Sequence, residues 1–159
     1  EGVEVLESLK NFEIGKGRIV REGEDIAILA LGTRVGTALK VADILNTDSC
    51  SITVADARFA KPIDTELVQK LWNDHRKLII IEEGSAGGFS SHCLHFLSSK
   101  GILNQNDKEI RCLTMPDHFQ DHASQNEQLA KAGLDVNGLL KIIRDMTTTL
   151  PLNNEFLAK

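Results

Sequence analysis

Three short runs of apolar, largely branched residues, at 26–31, 52–55 and 78–81, restrict this chain more than any other feature of it. Each is too short for a buried helix and gives way to polar or glycine residues, so each reads as a strand covered on both faces. Between the runs the apolar spacing lengthens to a helical period. Val35, Ala38, Leu39, Ala42 and Leu45 share one helix face. Leu67, Val68 and Leu71 begin a second stripe behind Asp64, whose carboxylate can accept the free amides of a first turn while Ile63 packs back onto Val68. A third helix follows Gly88 and carries Cys93, Leu94, Phe96 and Leu97. Ser124-Gln125-Asn126-Glu127 forms a capping box for a short helix over 125–132 that Gly133 can stop, and Asp135 caps a last helix with the stripe Val136, Leu139, Leu140, Ile143 and Met146.

Two further strands complete the pattern. Residues 110–115 alternate less cleanly and carry Arg111, which places that strand nearer an edge. Residues 17–21 lead through Glu22-Gly23-Glu24 into the first buried run with a spacing suited to a hairpin. Strands alternating with helices need right-handed crossovers that bury helix stripes on both faces of the sheet. The expected architecture is a three-layer α/β/α sandwich around a mostly parallel five-stranded sheet with one antiparallel edge strand.

Composition narrows the function classes. With 159 residues, 42% of them hydrophobic, the chain can bury one core of its own. A formal net charge of -5 with no lysine or arginine run argues against nucleic acid. No apolar run approaches the roughly 20 residues needed to cross a bilayer, and the acidic N-terminus is unlike a signal peptide. Cys50, Cys93 and Cys112 are odd in number and form no Cys-x-x-Cys pair, so free, buried and inert thiols in a reducing cytoplasm are expected. Residues 1–12 read as a linker from a missing upstream domain, 13–146 as the domain, and 147–159 as a frayed tail. The only methionines are Met115 and Met146, so a piece of something longer is expected.

In an open parallel sheet, ligands gather beyond the carboxyl ends of the strands. Gly32-Thr33-Arg34-Val35-Gly36, with Asp56 ending the next strand, faintly matches a dinucleotide turn, but Arg34 fills the third position, where a glycine is needed. A free-standing nucleotide- or anion-binding module is the rival reading this leaves. Residues 82–88 read as a glycine-rich loop opening a helix, with Glu82 pairing to Arg58 or to a backbone amide. The segment Asp56-Ala57-Arg58-Phe59-Ala60-Lys61-Pro62-Ile63-Asp64 sets two cations, a ring and a proline turn at the same edge, where a bidentate Arg58 contact to Glu82 or Asp56 would lock neighbouring loops. His118 and His122, and separately His92 and His95, lack metal-specific spacing; the first pair falls in a loop. No catalytic, cofactor-binding or metal-ligating residue is assigned.

Taken in order, five stretches carry a resemblance: Ile14-Gly15-Lys16-Gly17-Arg18-Ile19-Val20-Arg21-Glu22-Gly23, then the Asp56 to Asp64 run, then Glu82-Glu83-Gly84 with Gly87-Gly88-Phe89, then Pro116-Asp117-x-Phe119, and Ala132-Gly133-Leu134-Asp135. They resemble the C-terminal domain of 1-deoxy-D-xylulose-5-phosphate synthases and, more distantly, those of transketolases and 2-oxo acid dehydrogenase β subunits. The resemblance implies an enzyme that joins pyruvate to glyceraldehyde 3-phosphate with loss of carbon dioxide, feeds isoprenoid and thiamine precursors, and uses thiamine diphosphate and magnesium (Mg2+) bound by upstream domains. This piece alone would then be inactive, packing on those domains and helping to hold a homodimer. Arg58, Lys61, Glu82 and Asp117 match family positions as contacts within or between domains. Gln120 and the pair His122-Ala123 depart from the family pattern.

Overall fold

A computed structural model describes residues 11–45, 50–104 and 107–148. The elements follow the order β1 (Arg18–Arg21), β2 (Ile26–Ala30), α1 (Arg34–Leu45), β3 (Ile52–Asp56), α2 (Thr65–Asp74), β4 (Lys77–Ser85), α3 (Phe89–Ser99), β5 (Glu109–Met115), α4 (Gln125–Lys131) and α5 (Val136–Thr148). They form one five-stranded sheet of order β1-β3-β2-β4-β5, parallel except for β1. β5 closes one edge, as its weaker alternation predicts.

The alternation of side chains along β2 explains the layers. Ile26, Ile28 and Ala30 join Val54, Ile79 and Ile81 against α1 and α5. Ala27 and Leu29 join Ala55, Leu78 and Ile80 against α2 and α3. All five residues of β2 are buried, which is why that strand shows no polar alternation in sequence.

The expected hairpin does not form. β1 pairs antiparallel with β3, Arg18 opposite Asp56, because β2 is already paired on both flanks and offers no free edge. The chain reaches β2 by passing tightly over the start of β3 at Gly23, where a Cβ would lie 2.3 Å from the Ile52 carbonyl carbon. Thr53 fastens this crossing: its Oγ1 accepts from Gly23 N at 2.9 Å and donates to Gly23 O at 2.7 Å.

Helix ends follow the sequence signals. Asp64 caps α2 through Leu67 N at 3.0 Å, Asp135 caps α5 through Gly138 N at 2.8 Å, and Gly133 adopts φ +70° between α4 and α5. At the other end of α2 the Lys108 ammonium donates to the carbonyls of Asn73 (2.8 Å), His75 (3.2 Å) and Trp72, a cation on the negative end of a helix. Helix α5 continues to Thr148, into the stretch read as a tail; residues 1–10 of the linker reading and 149–159 of the tail reading lie outside the described residues. No helix among the described residues is long and apolar enough to cross a membrane.

The expectation of three buried thiols holds for Cys93 alone. Cys50 is half-buried, and Cys112 is exposed because β5 has a neighbouring strand on one side only. Burial, with smaller contributions from Cys112 and Glu82, pushes the Cys93 thiol up to about 12.

Candidate functional site at the carboxyl edge of the sheet

The four parallel strands end along one edge, and β1, running the opposite way, begins there. Glu82 is the most enclosed charged residue of that edge, 3% exposed on β4. Its Oε2 accepts from Phe89 N at 2.9 Å, and its Oε1 accepts from Ser90 N and Ser90 Oγ, each at 2.8 Å. A carboxylate thus answers the free amides and positive end of α3, whose N-cap, Gly88, has no side chain to do so. The flanking glycines make room for it, since a Cβ at Gly84 or Gly88 would lie 2.6 Å from Glu82 Oε2. Of the two partners expected for Glu82, the backbone amide is the one found. Arg58 leaves from β3, with β2 between it and β4, and its guanidinium is turned onto Phe12 and Asp56. The stretch read as a loop at 82–88 is also partly strand: β4 runs on to Ser85, which pairs with Met115 after a register shift.

Arg58 has its own arrangement. It is a non-glycine residue at φ +59°, a left-handed backbone held by Asp56 Oδ1, which accepts the Arg58 N–H at 3.1 Å. Its guanidinium lies 4.5 Å from the centroid of the Phe12 ring, and its Nε is 3.9 Å from Asp56 Oδ2. That same Oδ2 accepts from Arg18 Nε at 3.3 Å, so Asp56 is shared and the bidentate Arg58 pair does not form. Lys61 is exposed on the same loop, before a cis bond to Pro62. Asp117 is exposed beyond β5, three strands from Arg58, beside a fully exposed Phe119. Arg58 and Lys61 therefore share a loop, while Glu82 and Asp117 stand apart from them.

The N-terminal run grips that loop. A Cβ at Gly15 (φ +75°) would lie 2.8 Å from Pro62 Cγ, Gly17 N donates to Asp64 Oδ2 at 3.0 Å, and Lys16 Nζ sits 2.5 Å from Glu66 and 3.9 Å from Asp64. The hydrogen bond to Glu66 is the main cause raising the Lys16 ammonium.

Sequence reasoning missed Arg34, which it treated only as the residue spoiling a glycine turn. Arg34 is buried, donates through Nη1 to Leu134 O at 2.7 Å, and sets Nε 3.0 Å from Glu83 Oε1. Thr33 Oγ1 bonds to the same Glu83 carboxylate and receives Arg34 Nη2 at 3.3 Å. One guanidinium thus ties the β2–α1 turn, the tip of β4 and the α4–α5 turn together. The available signal was a cation beginning a helix with Glu83 at the next strand tip. His118 and His122 lie in the loop after β5, His92 and His95 on α3, and no three His, Cys, Asp or Glu side chains among the described residues are placed to hold a metal ion.

The family model described as transketolase, C-terminal domain, matches residues 15–139. A solved structure described as "Split gene transketolase, inactive beta4 tetramer" superposes with a TM-score of 0.76 at 27% identity, covering 87% of this chain and 44% of that one. Transketolase from Campylobacter jejuni subsp. jejuni superposes with a TM-score of 0.57 at 16% identity, over 82% of this chain and 18% of that one, a likeness of fold alone. This chain spans less than half the length of either.

Proposed function

We propose, from the premise that this chain belongs to the transketolase C-terminal domain family, that it is the C-terminal domain of a thiamine-diphosphate-dependent 1-deoxy-D-xylulose-5-phosphate synthase. Its part is to pack against the upstream domains and help hold a homodimer in the cytoplasm. One observation carries the choice within the family. The two stretches most particular to the resemblance, Ile14 to Gly23 and Asp56 to Asp64, interlock through Gly15 on Pro62 and Gly17 on Asp64. Residues so interdependent keep their spacing together, which supports treating them as one signature.

The residues present do not fit the thiamine diphosphate–magnesium group. A hard cation carrying a diphosphate needs converging oxygen ligands. The buried carboxylate of the carboxyl edge, Glu82, is spent on α3 amides, and Asp56 is shared between Arg18 and Arg58. No step is assigned to the cofactor on this chain, and its binding belongs to the domains upstream. Half-buried Arg58 and exposed Lys61 and Asp117, all at one edge, are the contacts offered to those domains; Glu82 supports them from inside. That a similar split-gene transketolase structure is described as an inactive beta4 tetramer favours the same division of labour here.

The second reading is the corresponding domain of a transketolase proper, favoured by the 27% identity to the split-gene structure. Assaying the longer polypeptide with thiamine diphosphate and magnesium separates the two. Carbon dioxide release from pyruvate dependent on glyceraldehyde 3-phosphate is the expected result. Ketol transfer between sugar phosphates with no carbon dioxide would replace the first reading by the second.

A further inference from the structure

We propose that His75 is a proton-operated clasp: with both ring nitrogens protonated it fastens the Glu22-Gly23-Glu24 link, and with it β1, to β3 and the end of α2, and it loosens that hold on losing a proton. The hydrogen-bond stoichiometry of four residues leads there. His75 is buried at the C-cap of α2, with Nδ1 3.1 Å from Leu71 O. A carbonyl only accepts, so Nδ1 has to donate. Across the ring, Nε2 lies 2.8 Å from Thr53 Oγ1 and 3.3 Å from Gly23 O. The Thr53 hydroxyl has one proton, which goes to Gly23 O at 2.7 Å. Its remaining capacity is for accepting, from Gly23 N at 2.9 Å and from Nε2. Every contact is satisfied only when Nε2 also carries a proton, which makes the ring an imidazolium.

Neither neutral ring fits the same positions. With the proton on Nδ1 alone, Nε2 and Gly23 O compete for the single hydroxyl proton, and the loser faces an oxygen lone pair. With the proton on Nε2 alone, the Nδ1 lone pair faces the Leu71 carbonyl. Buried acceptors set against each other cost about as much as a lost hydrogen bond. The surroundings favour the charge. Glu22 and Glu24 from the link and Asp74 from α2 line the recess beside the ring, and β1 and β3 present only uncharged Ile19 and Thr53. Against these three carboxylates stand Lys70, paired with Asp74 at 2.7 Å, and Lys108, which donates to His75 O at 3.2 Å. The carbonyl end of α2 adds negative potential at the ring. The folded chain thus uses a proton in a hydrogen bond that the unfolded chain lacks. That contribution is full below the ordinary histidine value, about 6.5, and is lost as pH rises past it. The clasp holds whichever reaction the whole protein performs.

Urea unfolding of the 159-residue chain and of His75→Gln, each at about pH 5.5 and about pH 8.5, tests the clasp. Glutamine is neutral at both values, and the remaining histidines are common to both chains and cancel. The substitution should raise the unfolding constant about tenfold more at the acid value than at the alkaline one, the difference between a charge-assisted and a neutral hydrogen bond. NMR of the unsubstituted chain at the acid value gives a second reading that does not need the variant to fold. It should show two His75 ring N–H protons, both protected from exchange with water. An equal effect of the substitution at both values, or an unprotected Nε2 proton in the folded chain, would overturn the proposal.

Discussion

Glu82 stabilises this domain because three donors aim at a carboxylate that water does not reach. Glu82→Gln keeps the size but turns an amide NH2 toward N–H groups that need an acceptor, and should cost about 2–3 kcal/mol in urea unfolding. A loss below about 0.5 kcal/mol would mean that the cap carries little. Cys93 gives a second residue-scale expectation. Cys93 is buried with its thiol raised to about 12, whereas Cys112 is exposed although partial burial of its sulfur raises it too, so an aromatic disulfide reagent should label Cys112 slowly in the native protein and Cys93 only on unfolding. Rapid labelling of Cys93 under native conditions would contradict its burial. Glu82's backbone partner was legible because a strand-tip acid followed by glycines and a helix leaves few other donors. Arg34 was not, because its value depends on a carbonyl 100 residues along the chain, which no local pattern announces.

Helix signals are local, and so the elements were mostly readable. The Ser124 and Glu127 box is formed as its spacing predicts, with the Ser124 hydroxyl bond as the main cause holding the Glu127 carboxyl below its ordinary 4.5. A lowered acid makes its contribution in full above the ordinary value and loses it as pH falls through the folded value. Helix protection at 125–131, read by hydrogen exchange, should therefore fall with acidification below about pH 4.5 in the native sequence. In Glu127→Gln it should be weaker at neutral pH and insensitive over that range; identical profiles would contradict the box. Strand order was less readable, since the hairpin spacing of β1 is real but its partner depends on β2 having both flanks occupied elsewhere in the chain. Gly23 is where that rearrangement is enforced. Gly23→Ala should destabilise by about 2–3 kcal/mol through contact with the Ile52 backbone, and a neutral result in a thermal melt would mean the crossing is looser than described.

At the scale of the whole molecule, the three-layer sandwich and its carboxyl edge followed from run lengths and helix periods, whereas the role of that edge did not. Its exposed apolar residues, Phe12, Ile14 and Phe119, and its exposed charges Lys61 and Asp117 are features that a sequence shows only as scattered positions. The sheet collects them. They are what our proposal of a covering domain, whose reaction is completed by other polypeptide, rests on at this scale, beside the family itself. The most direct test measures carbon dioxide release from pyruvate and glyceraldehyde 3-phosphate, with thiamine diphosphate and magnesium present, by the 159-residue chain alone and by the polypeptide that includes the upstream domains. The account predicts no turnover by the chain alone and steady turnover by the longer polypeptide. Turnover by the chain alone would contradict it.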